Sequence, residues 1–385
     1  MSEQTASTLA NLLSVIRSHE GLTRADMVEL TGLSRQTVTA RLGDLLAQGL
    51  VAELEAAPST GGRPPARFAF DPGGGIVLGV DAGVSRTGLA VADGTGELIA
   101  NRLEPRPINA DPRVTLSWIY RGLDELLAEC GRTPADVRAI GVGLPGTVDH
   151  VQGRPLSPDS MPGWDGFPVA DAFRERYGVD VLVDNDVNVI ALGEAEPDEV
   201  VAVVKAGSGI GLGYVTDGVV QRGAQGVAGE IAHVNVPGYD DVACRCGKTG
   251  CLEAVAGGTA MAERLTAQGI ECGGTAELAS LARAGVPEAI AMVREAGRAI
   301  GFVLATVVNI LNPARLVIAG DLTEARDYLL SALSETVYRE AAPLATAELE
   351  IARARAGTRA GLKGTVAMAL GHALQPAALV ARAAG

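Results

Sequence analysis

Three short segments near the N-terminus repeat apolar residues at the spacing of a helix face. The apolar positions are Leu9, Leu12, Leu13 and Ile16, then Met27, Val28 and Leu30, then Val38, Leu42, Leu45 and Leu46. Thr23, followed by Asp26, and Ser34 are N-cap signals for the second and third segments, and Gly32 lies in the short turn between them. The pattern predicts a helix-turn-helix.

A predicted wing follows the third helix. Gly49 ends that helix, LVAELE (50–55) has the residue types of a strand, and residues 59–70 supply a Gly-Gly-Arg-Pro-Pro tip and a return strand. The side chains expected to reach bases or phosphates are Ser34, Arg35, Gln36, Thr37, Thr39 and Arg41 on the helix and Arg63 and Arg67 in the wing. The pattern favours a DNA-binding winged helix over its alternative, a three-helix protein-interaction module.

Beyond a glycine-rich linker at 71–75, strand patterns alternate with glycine turns. Residues 76–104 have the pattern of a strand, a small-residue turn and a strand, and residues 202–223 repeat it. This duplication predicts two similar α/β lobes with a ligand cleft between them. The turns could bring backbone N–H groups up to a phosphate, but a plain hairpin fits either turn alone.

Charge is unevenly distributed along the chain. The 385 residues have a net charge of −14, which argues against a general nucleic-acid binder because phosphate affinity needs clustered Lys and Arg. Residues 1–70 hold six Arg and seven acidic residues, so their net charge is only −1. A DNA-binding segment is therefore expected at this end, provided that its arginines share one face.

Hydropathy indicates a soluble globular protein, with 47% hydrophobic and 20% charged residues. The longest apolar stretch, at 300–311, contains Asn309 and stops before Pro313, which is typical of a buried helix. The initial MSEQTAST lacks the basic and apolar regions of a signal peptide. We expect a cytoplasmic protein that makes no membrane contact.

Three of the five cysteines lie within CRCGKTGC, residues 244–251, shortly after the lone histidine of GEIAHVNV. Zinc prefers four nitrogen or sulfur ligands in a tetrahedral array. His233, Cys244, Cys246 and Cys251 can supply them, and Gly247 and Gly250 allow the chain to fold tightly between ligands. The alternative is a cluster of reduced cysteines that hold no metal.

Six motifs in order, GVDAG, GLPGTVD, DNDVN, AGSGIGLG, GEIAH and CRCGKTGCLE, resemble the ROK family of repressors, open reading frames and kinases. With the helix-turn-helix ahead of them, the chain resembles the family's repressor branch. The resemblance implies a winged helix over residues 1–72 and, over 73–385, a two-lobed α/β domain of the actin-like sugar-kinase fold. It also implies that the same four ligands hold a structural Zn²⁺.

The resemblance further implies a sugar site at Asn185, Asp186, Glu230, His233 and Glu253. In the kinases of the family the residue matching Asp186 is the catalytic base. The alternative for each acid is a solvent-facing side chain or a helix cap, which is what we expect of Asp184. Zinc bound close to Glu230 and Glu253 would fix these two carboxylates relative to each other.

Two loops depart from the kinase pattern that the resemblance implies. The first phosphate loop is Gly83-Val84-Ser85, in which valine blocks close approach to a phosphate, and the adenosine motif is Ala319-Gly320-Asp321, which adds a carboxylate. The loop Gly207-Ser208-Gly209 remains serviceable. We therefore predict that kinase activity is lost, that no residue is catalytic and that Asp186 is a vestigial base.

The prediction is a sugar-responsive DNA-binding regulator, a repressor, that binds its operator as a homodimer or homotetramer. One alternative is an ATP-dependent hexose kinase with an appended DNA-binding domain. Another is a constitutive DNA-binding protein whose sugar pocket is vestigial.

Overall fold

The N-terminal unit is a winged helix, as the periodicity predicts. A computed structural model describes residues 3–54, 65–108, 111–156, 161–196 and 198–383 of the chain. The first elements are α1 (Glu3–Arg17), β1 (Leu22–Thr23), α2 (Arg24–Thr31), α3 (Arg35–Ala47), β2 (Val51–Leu54) and β3 (Arg67–Phe70). The strands form an antiparallel sheet in the order β1-β3-β2. Helix α3 is the second helix of the helix-turn-helix.

The predicted caps set the ends of α2 and α3. Thr23 and Asp26 form a capping box, in which the Thr23 backbone N–H donates to the Asp26 carboxylate over 2.8 Å. Gly32 adopts a left-handed φ of 67° and ends α2, and the Ser34 hydroxyl then accepts from the Thr37 N–H that opens α3. The apolar faces meet in one core around Leu12 and Leu42.

The first lobe is built on a five-stranded sheet in the order β10-β7-β4-β5-β6. Its elements are β4 (Ile76–Ala82), β5 (Thr87–Ala92), β6 (Leu98–Glu104), α4 (Pro112–Glu129), β7 (Val137–Leu144), β8 (Val148–Asp149), β9 (Arg154–Pro155), α5 (Val169–Tyr177) and β10 (Asp180–Asn185). Strands β4 to β6 are antiparallel, whereas β7 and β10 run parallel to β4.

The second lobe repeats this topology, with sheet order β13-β12-β11-β14-β15. Its elements are α6 (Asp186–Glu194), β11 (Val200–Ala206), β12 (Ile210–Thr216), β13 (Val219–Val220), α7 (Leu252–Ala256), α8 (Gly258–Ala267), α9 (Thr275–Ala284), α10 (Pro287–Leu311), β14 (Arg315–Ala319), α11 (Tyr328–Glu340), α12 (Pro343–Thr346) and β15 (Glu350–Arg353). The antiparallel hairpin and the parallel strands recur on the same sides of the central strand. The predicted duplication is therefore present in the sheets.

Two helices lie between the sheets and touch through their backbones. The apolar face of α6 packs on the second sheet, and that of α13 (Ala360–Ala373) packs on the first. A Cβ added to Gly364 of α13 would lie 1.5 Å from the Val189 carbonyl oxygen of α6. Glycine is required at this point because any side chain would overlap backbone.

The chain returns to the winged helix after α13. The sequence pattern indicates an alanine-rich tail here, but residues 376–383 form helix α14 (Pro376–Ala383). Leu379 of α14 is 1% exposed and belongs to the same core as Leu9, Leu12 and Leu13 of α1. The apolar side of α1 gives this helix a surface to bury, which alanine-rich composition alone does not reveal.

The linker at 71–75 is packed against both units. The Arg138 guanidinium, from β7, donates to the Gln48 carbonyl oxygen over 2.6 Å and to the Gly74 carbonyl oxygen. A Cβ on Gly74 would lie 1.6 Å from the Gly49 carbonyl oxygen. The end of α3 is thus tied directly to the first lobe. Among the described residues, no helix has the length and apolar character needed to cross a membrane.

Candidate functional site

A cavity of about 540 Å³ lies between the two lobes. The predicted sugar contacts all line it: Asn185, Asp186, Glu230, His233 and Glu253. Its walls also carry the loop after β7, at Pro145, Gly146 and Thr147, and the glycine turn between β11 and β12. Fold and chain order thus bring the separate motifs of the sequence to one place.

Asn185 and Asp186 stand where β10 passes into α6. The Asn185 side-chain oxygen accepts from the Val187 N–H over 2.9 Å, and its amide nitrogen donates to the Gly146 carbonyl oxygen over 2.5 Å. The Asp186 side chain is buried and bound to Lys205. Asn185 is therefore the helix cap, and Asp186 faces the cavity from the first turn of α6.

Asp184 is buried, which corrects the expectation of a solvent-facing or capping acid. Its carboxylate accepts from Asn188 over 2.9 Å and from the Arg222 Nε over 2.7 Å. A buried carboxylate needs such partners to offset lost hydration. Arg222 comes from the loop after β13, so only the folded chain identifies the pair.

Two acidic side chains that line the cavity, Glu230 and Glu253, differ in how they are held. The Glu253 carboxylate accepts from the Ile210 N–H over 3.1 Å, which ties it to the glycine turn. Glu230 is exposed to the cavity and has no such anchor among the described hydrogen bonds. Desolvation by the surrounding protein raises the pKa of Glu230. His233 lowers this pKa, and the nearby negative charge of Glu253 raises it. Glu230 is the freer acceptor for a ligand hydroxyl.

The predicted metal ligands form one cluster at the edge of this cavity. The ligand atoms of His233, Cys244, Cys246 and Cys251 all lie within 4.8 Å of one another. The His233 Nδ1 is 3.7 Å from the Cys244 Sγ, and the Cys246 Sγ is 3.6 Å from the Cys251 Sγ. Tetrahedral ligands at zinc–sulfur distances of about 2.3 Å would be about 3.8 Å apart. The donor set and spacing could hold a metal ion.

The backbone around the cluster is folded tightly by local pairing. The Cys244 N–H donates to the Lys248 carbonyl oxygen over 2.8 Å, and Gly247 and Gly250 adopt left-handed φ values of 87° and 69°. Cys251 is buried, and burial is the main cause that raises its pKa to about 12. A bound cation is the means by which such a thiol becomes a thiolate ligand.

Both acidic cavity residues are attached to this cluster through the backbone. Glu230 lies three residues before His233, and Glu253 lies two residues after Cys251. The Glu253 N–H donates to the Ala232 carbonyl oxygen over 2.9 Å, and the Leu252 N–H to the Val234 carbonyl oxygen over the same distance. Movement of the cluster would therefore displace both carboxylates.

Sequence reasoning missed Lys205 and Arg86. Lys205 lies in β11 and binds Asp186, and Arg86 lies in the β4–β5 turn and binds Asp321. The signal for Lys205 was a single charged residue inside the apolar run VVAVVKA. Its partner cannot be identified from the strand itself, because Asp186 lies in a separate motif.

The carboxyl group of Asp81, near the end of β4, has a raised pKa. Burial is the main cause that raises its pKa from 3.8 to about 6. The positive charges of Lys205 and Arg86 lower the pKa, and the negative charge of Asp186 raises it further. Between about pH 4 and pH 6 the folded state therefore binds more protons than the unfolded state. The free energy of unfolding falls as pH rises through this window, and the whole penalty is present above it.

Asp81→Asn should remove this penalty, because asparagine resembles the protonated acid. A difference of about two pH units corresponds to about 3 kcal/mol, so at pH 7.5 we expect the variant to gain up to that much. Urea unfolding at pH 5 and pH 7.5 checks this. The exposed Asp171→Asn should behave like wild type, and identical pH slopes in the Asp81 variant and wild type would contradict the assignment.

The surface of α3 presents most of the predicted DNA contacts. Arg35, Gln36 and Thr39 are exposed, as is Ser34, although the Ser34 hydroxyl also caps the helix. Thr37 is half-buried, and its hydroxyl lies 2.9 Å from that of Ser34. The exposed side chains occupy the N-terminal half of the helix, the part that enters a major groove in helix-turn-helix proteins.

The other predicted arginines differ in their freedom. Arg41 is ion-paired with Asp44 over 2.5 Å. Arg67, expected to be free for DNA, instead donates to the Glu20 and Gly21 carbonyl oxygens, each over 2.9 Å. Arg67 therefore connects strand β3 of the wing to the segment that follows α1. Arg63 lies outside the described residues.

Comparison with protein-family models divides the chain in two. The ROK family model matches residues 77–372, and a MarR family model matches residues 8–61. The two matches coincide with the lobes and with the winged helix.

Known relatives include regulators and kinases. The chain is 26% identical over 381 residues to a xylose repressor of Caldicellulosiruptor bescii, covering 94% of this chain and 95% of the relative. It is 30% identical over 307 residues to a glucokinase of Halalkalibacterium halodurans, covering 74% and 92%. The crystal structure of a ROK family transcriptional regulator, a homologue of the E. coli MLC protein, superposes with a TM-score of 0.81 at 22% identity and 99% coverage of both chains.

Proposed function

Because the chain belongs to the ROK family, we propose that it is a sugar-responsive DNA-binding repressor, with the winged helix in residues 1–72 and the ROK domain in residues 73–385. One observation carries the proposal: an exposed reading helix and a polar cavity between two lobes occur in one chain. The match to a xylose repressor over nearly the whole chain supports a regulator over a kinase with an appended domain.

The sugar binds in the cavity between the lobes. Asn185, Asp186, Glu230, His233 and Glu253 line it. The carboxylates offer acceptors that suit adjacent sugar hydroxyls, and a His233 ring that holds the metal offers its remaining N–H as a donor. Binding shifts the closure of the lobes, and the packed junction at Arg138 and α14 passes this shift to the winged helix. DNA affinity then changes only as far as the sugar prefers one state over the other.

The metal is zinc, held by His233, Cys244, Cys246 and Cys251 in a structural role. The mixed nitrogen and sulfur donor set supports this choice, as do the 3.7 Å and 3.6 Å distances within two donor pairs and the 4.8 Å limit on all of them. When bound, the ion supplies a cross-link that keeps the Glu230 and Glu253 segments together. These two carboxylates, rather than the metal, face the sugar.

Phosphoryl transfer is lost in this chain, and no residue is catalytic. Val84 and Asp321, from the two altered loops, both line a second cavity beside the sugar cavity. Asp321 is bound to Arg86, so a nucleotide would have to displace this ion pair, and the branched side chain of Val84 keeps phosphate away from the loop backbone. The protein acts in the cytoplasm, as a homodimer or homotetramer that matches paired half-sites of an operator.

Titration with a panel of neutral and phosphorylated sugars, each with and without ATP, tests the proposal. Operator release is followed by fluorescence anisotropy, and sugar binding by the unfolding midpoint. One sugar should release DNA, and ATP should add nothing. Steady ADP formation that is lost in Asp186→Asn would instead support the kinase. DNA binding that no sugar alters would support a constitutive binder.

Arg35→Ala should weaken operator binding by about 1–3 kcal/mol and leave sugar binding unchanged. Arg35 is exposed near the start of α3, where a base edge or phosphate would lie. Anisotropy at fixed salt measures the first quantity and calorimetry the second. Arg174→Ala on α5 removes an equally exposed charge and should bind the operator as wild type does. Unchanged operator affinity in the Arg35 variant would remove α3 as the reading helix.

A further inference from the structure

Charged side chains from both lobes meet at one wall of the sugar cavity. Lys205 extends from β11 of the second sheet, and its ammonium binds Asp186 at the start of α6. The Asp186 side chain is 9% exposed and that of Lys205 is 24% exposed. Asp81, at the end of β4 in the first lobe, acts electrostatically on the same ammonium. One cation thus compensates carboxylates of both lobes.

A second ion pair, between Arg86 and Asp321, crosses the cleft. Here the cation belongs to the first lobe, whereas the cation Lys205 belongs to the second. Arg86, in the turn between β4 and β5 of the first lobe, binds Asp321, which lies two residues after the end of β14 in the second lobe. The Asp321 side chain is 14% exposed, so solvent screens this pair less than a surface pair. This pair spans the two lobes, whereas Lys205 and Asp186 both belong to the second lobe and Lys205 acts on the first lobe through Asp81.

These groups stand beside both glycine loops. The Cε of Lys205 lies 3.7 Å from the position of a Cβ added to Gly207, so the ammonium lies against the second loop. Arg86 directly follows the first loop, Gly83-Val84-Ser85. Burial alone lowers the pKa of Lys205. The negative charges of Asp186, Asp81 and Asp321 outweigh burial, so the pKa is raised overall. A polyphosphate entering here would find both cations already bound to carboxylates.

We propose that Lys205 and Arg86 are built-in counter-ions that replace a metal–nucleotide complex between the lobes, and that Lys205 positions the Asp186 carboxylate for the sugar. This inference rests on the proposed function, because it assigns both residues to the same sugar site. The site is then assembled with no nucleotide. Removal of the ammonium leaves carboxylates that a divalent cation can compensate.

Binding of Mn²⁺ to the zinc-loaded, full-length protein tests the counter-ion role with no sugar present. By electron paramagnetic resonance and calorimetry, wild type should bind no Mn²⁺ in the cleft, and Lys205→Met should bind one ion per chain. Adding Asp186→Asn to that variant should abolish the binding. Lys363→Met is the matched control, because Lys363 is exposed on α13, and it should behave as wild type.

Sugar affinity tests the positioning role. Lys205→Met should bind the sugar at least roughly tenfold more weakly without Mn²⁺, since Asp186 loses its partner, and should recover when Mn²⁺ is added. Wild type should be indifferent to Mn²⁺ and to ATP. A side chain with a merely structural role would show no recovery with Mn²⁺.

Cleft binding of Mn²⁺ or ATP to wild type, or a folded Lys205→Met that takes up no Mn²⁺, would overturn the inference. If Lys205→Met does not fold, Arg86→Gln is titrated with MgATP, where a gain in affinity supports the inference and none overturns it. If wild type binds no sugar but the Mn²⁺ pattern holds, the proposed function fails while the counter-ion assignment stands.

Discussion

Cys251→Ser should lower the free energy of unfolding by about 3–4 kcal/mol and the unfolding midpoint by roughly 5 °C. A structural zinc site contributes about 10–16 kcal/mol, and this change removes one of four ligands. Cys251 is the buried member of the cluster and pairs with the strand-like segment at Asn235, so no solvent molecule can easily take its place. Sugar binding should fall with stability, because Glu253 follows two residues later.

The control for this change is Cys272→Ser. Cys272 is also buried, but it lies outside the ligand cluster and its thiol only donates to the Gly274 carbonyl oxygen. The control should keep its zinc, its sugar affinity and nearly all of its stability. Zinc is counted by atomic absorption and unfolding is followed by calorimetry. If both variants keep equal zinc and equal midpoints, the cluster is a set of free thiols and the metal assignment is wrong.

Gly364→Ala should cost more than about 3 kcal/mol of stability, because its Cβ would overlap the backbone of α6. The nearest atom would be the Val189 carbonyl oxygen at 1.5 Å, followed by the Val189 carbonyl carbon at 2.3 Å. No rotation of a side chain relieves an overlap between two backbones. The helices must separate, and with them the two sheets that form the sugar cavity.

The same helix offers a matched control, Gly371→Ala. A Cβ at Gly371 would have no neighbour within 4 Å, so the change adds only helix propensity and should stabilise α13 by up to about 1 kcal/mol. Urea unfolding of both variants separates helix propensity from packing. Equal stabilities for the two variants would show that α6 and α13 do not approach closely in solution.

Features specified by neighbouring residues could be predicted from the sequence. Thr23 with Asp26 and Ser34 with Thr37 are caps whose two partners are three residues apart, so the pattern locates both helix starts. The cluster of His233 and three cysteines could be predicted for the same reason, since the three cysteines lie within eight residues. The family resemblance added the predicted sugar contacts, which come from separate motifs and line one cavity.

Long-range contacts account for what the sequence did not reveal. Arg67 is a basic residue in the predicted wing, which suggests a DNA contact. Its partners are instead the carbonyl groups of Glu20 and Gly21, more than forty positions earlier. The sequence predicts that Asp184 is a solvent-facing acid or a helix cap, but it is buried against Arg222, which lies 38 positions later in the chain. Asp321 suggested repulsion of a nucleotide, but its binding of Arg86 emerges only when two lobes face each other. In each case the partner residue is remote in the chain, and the fold brings the two side chains together.

The position of Leu379 has a consequence for how the protein is made. The core of the winged helix includes this side chain from α14, which leaves the ribosome only after both lobes have been synthesised. A nascent chain therefore exposes the part of α1 that α14 covers until both lobes have been synthesised. A product interrupted inside that domain lacks α14, so we expect its winged helix to be less stable than that of a chain that also carries the sensor.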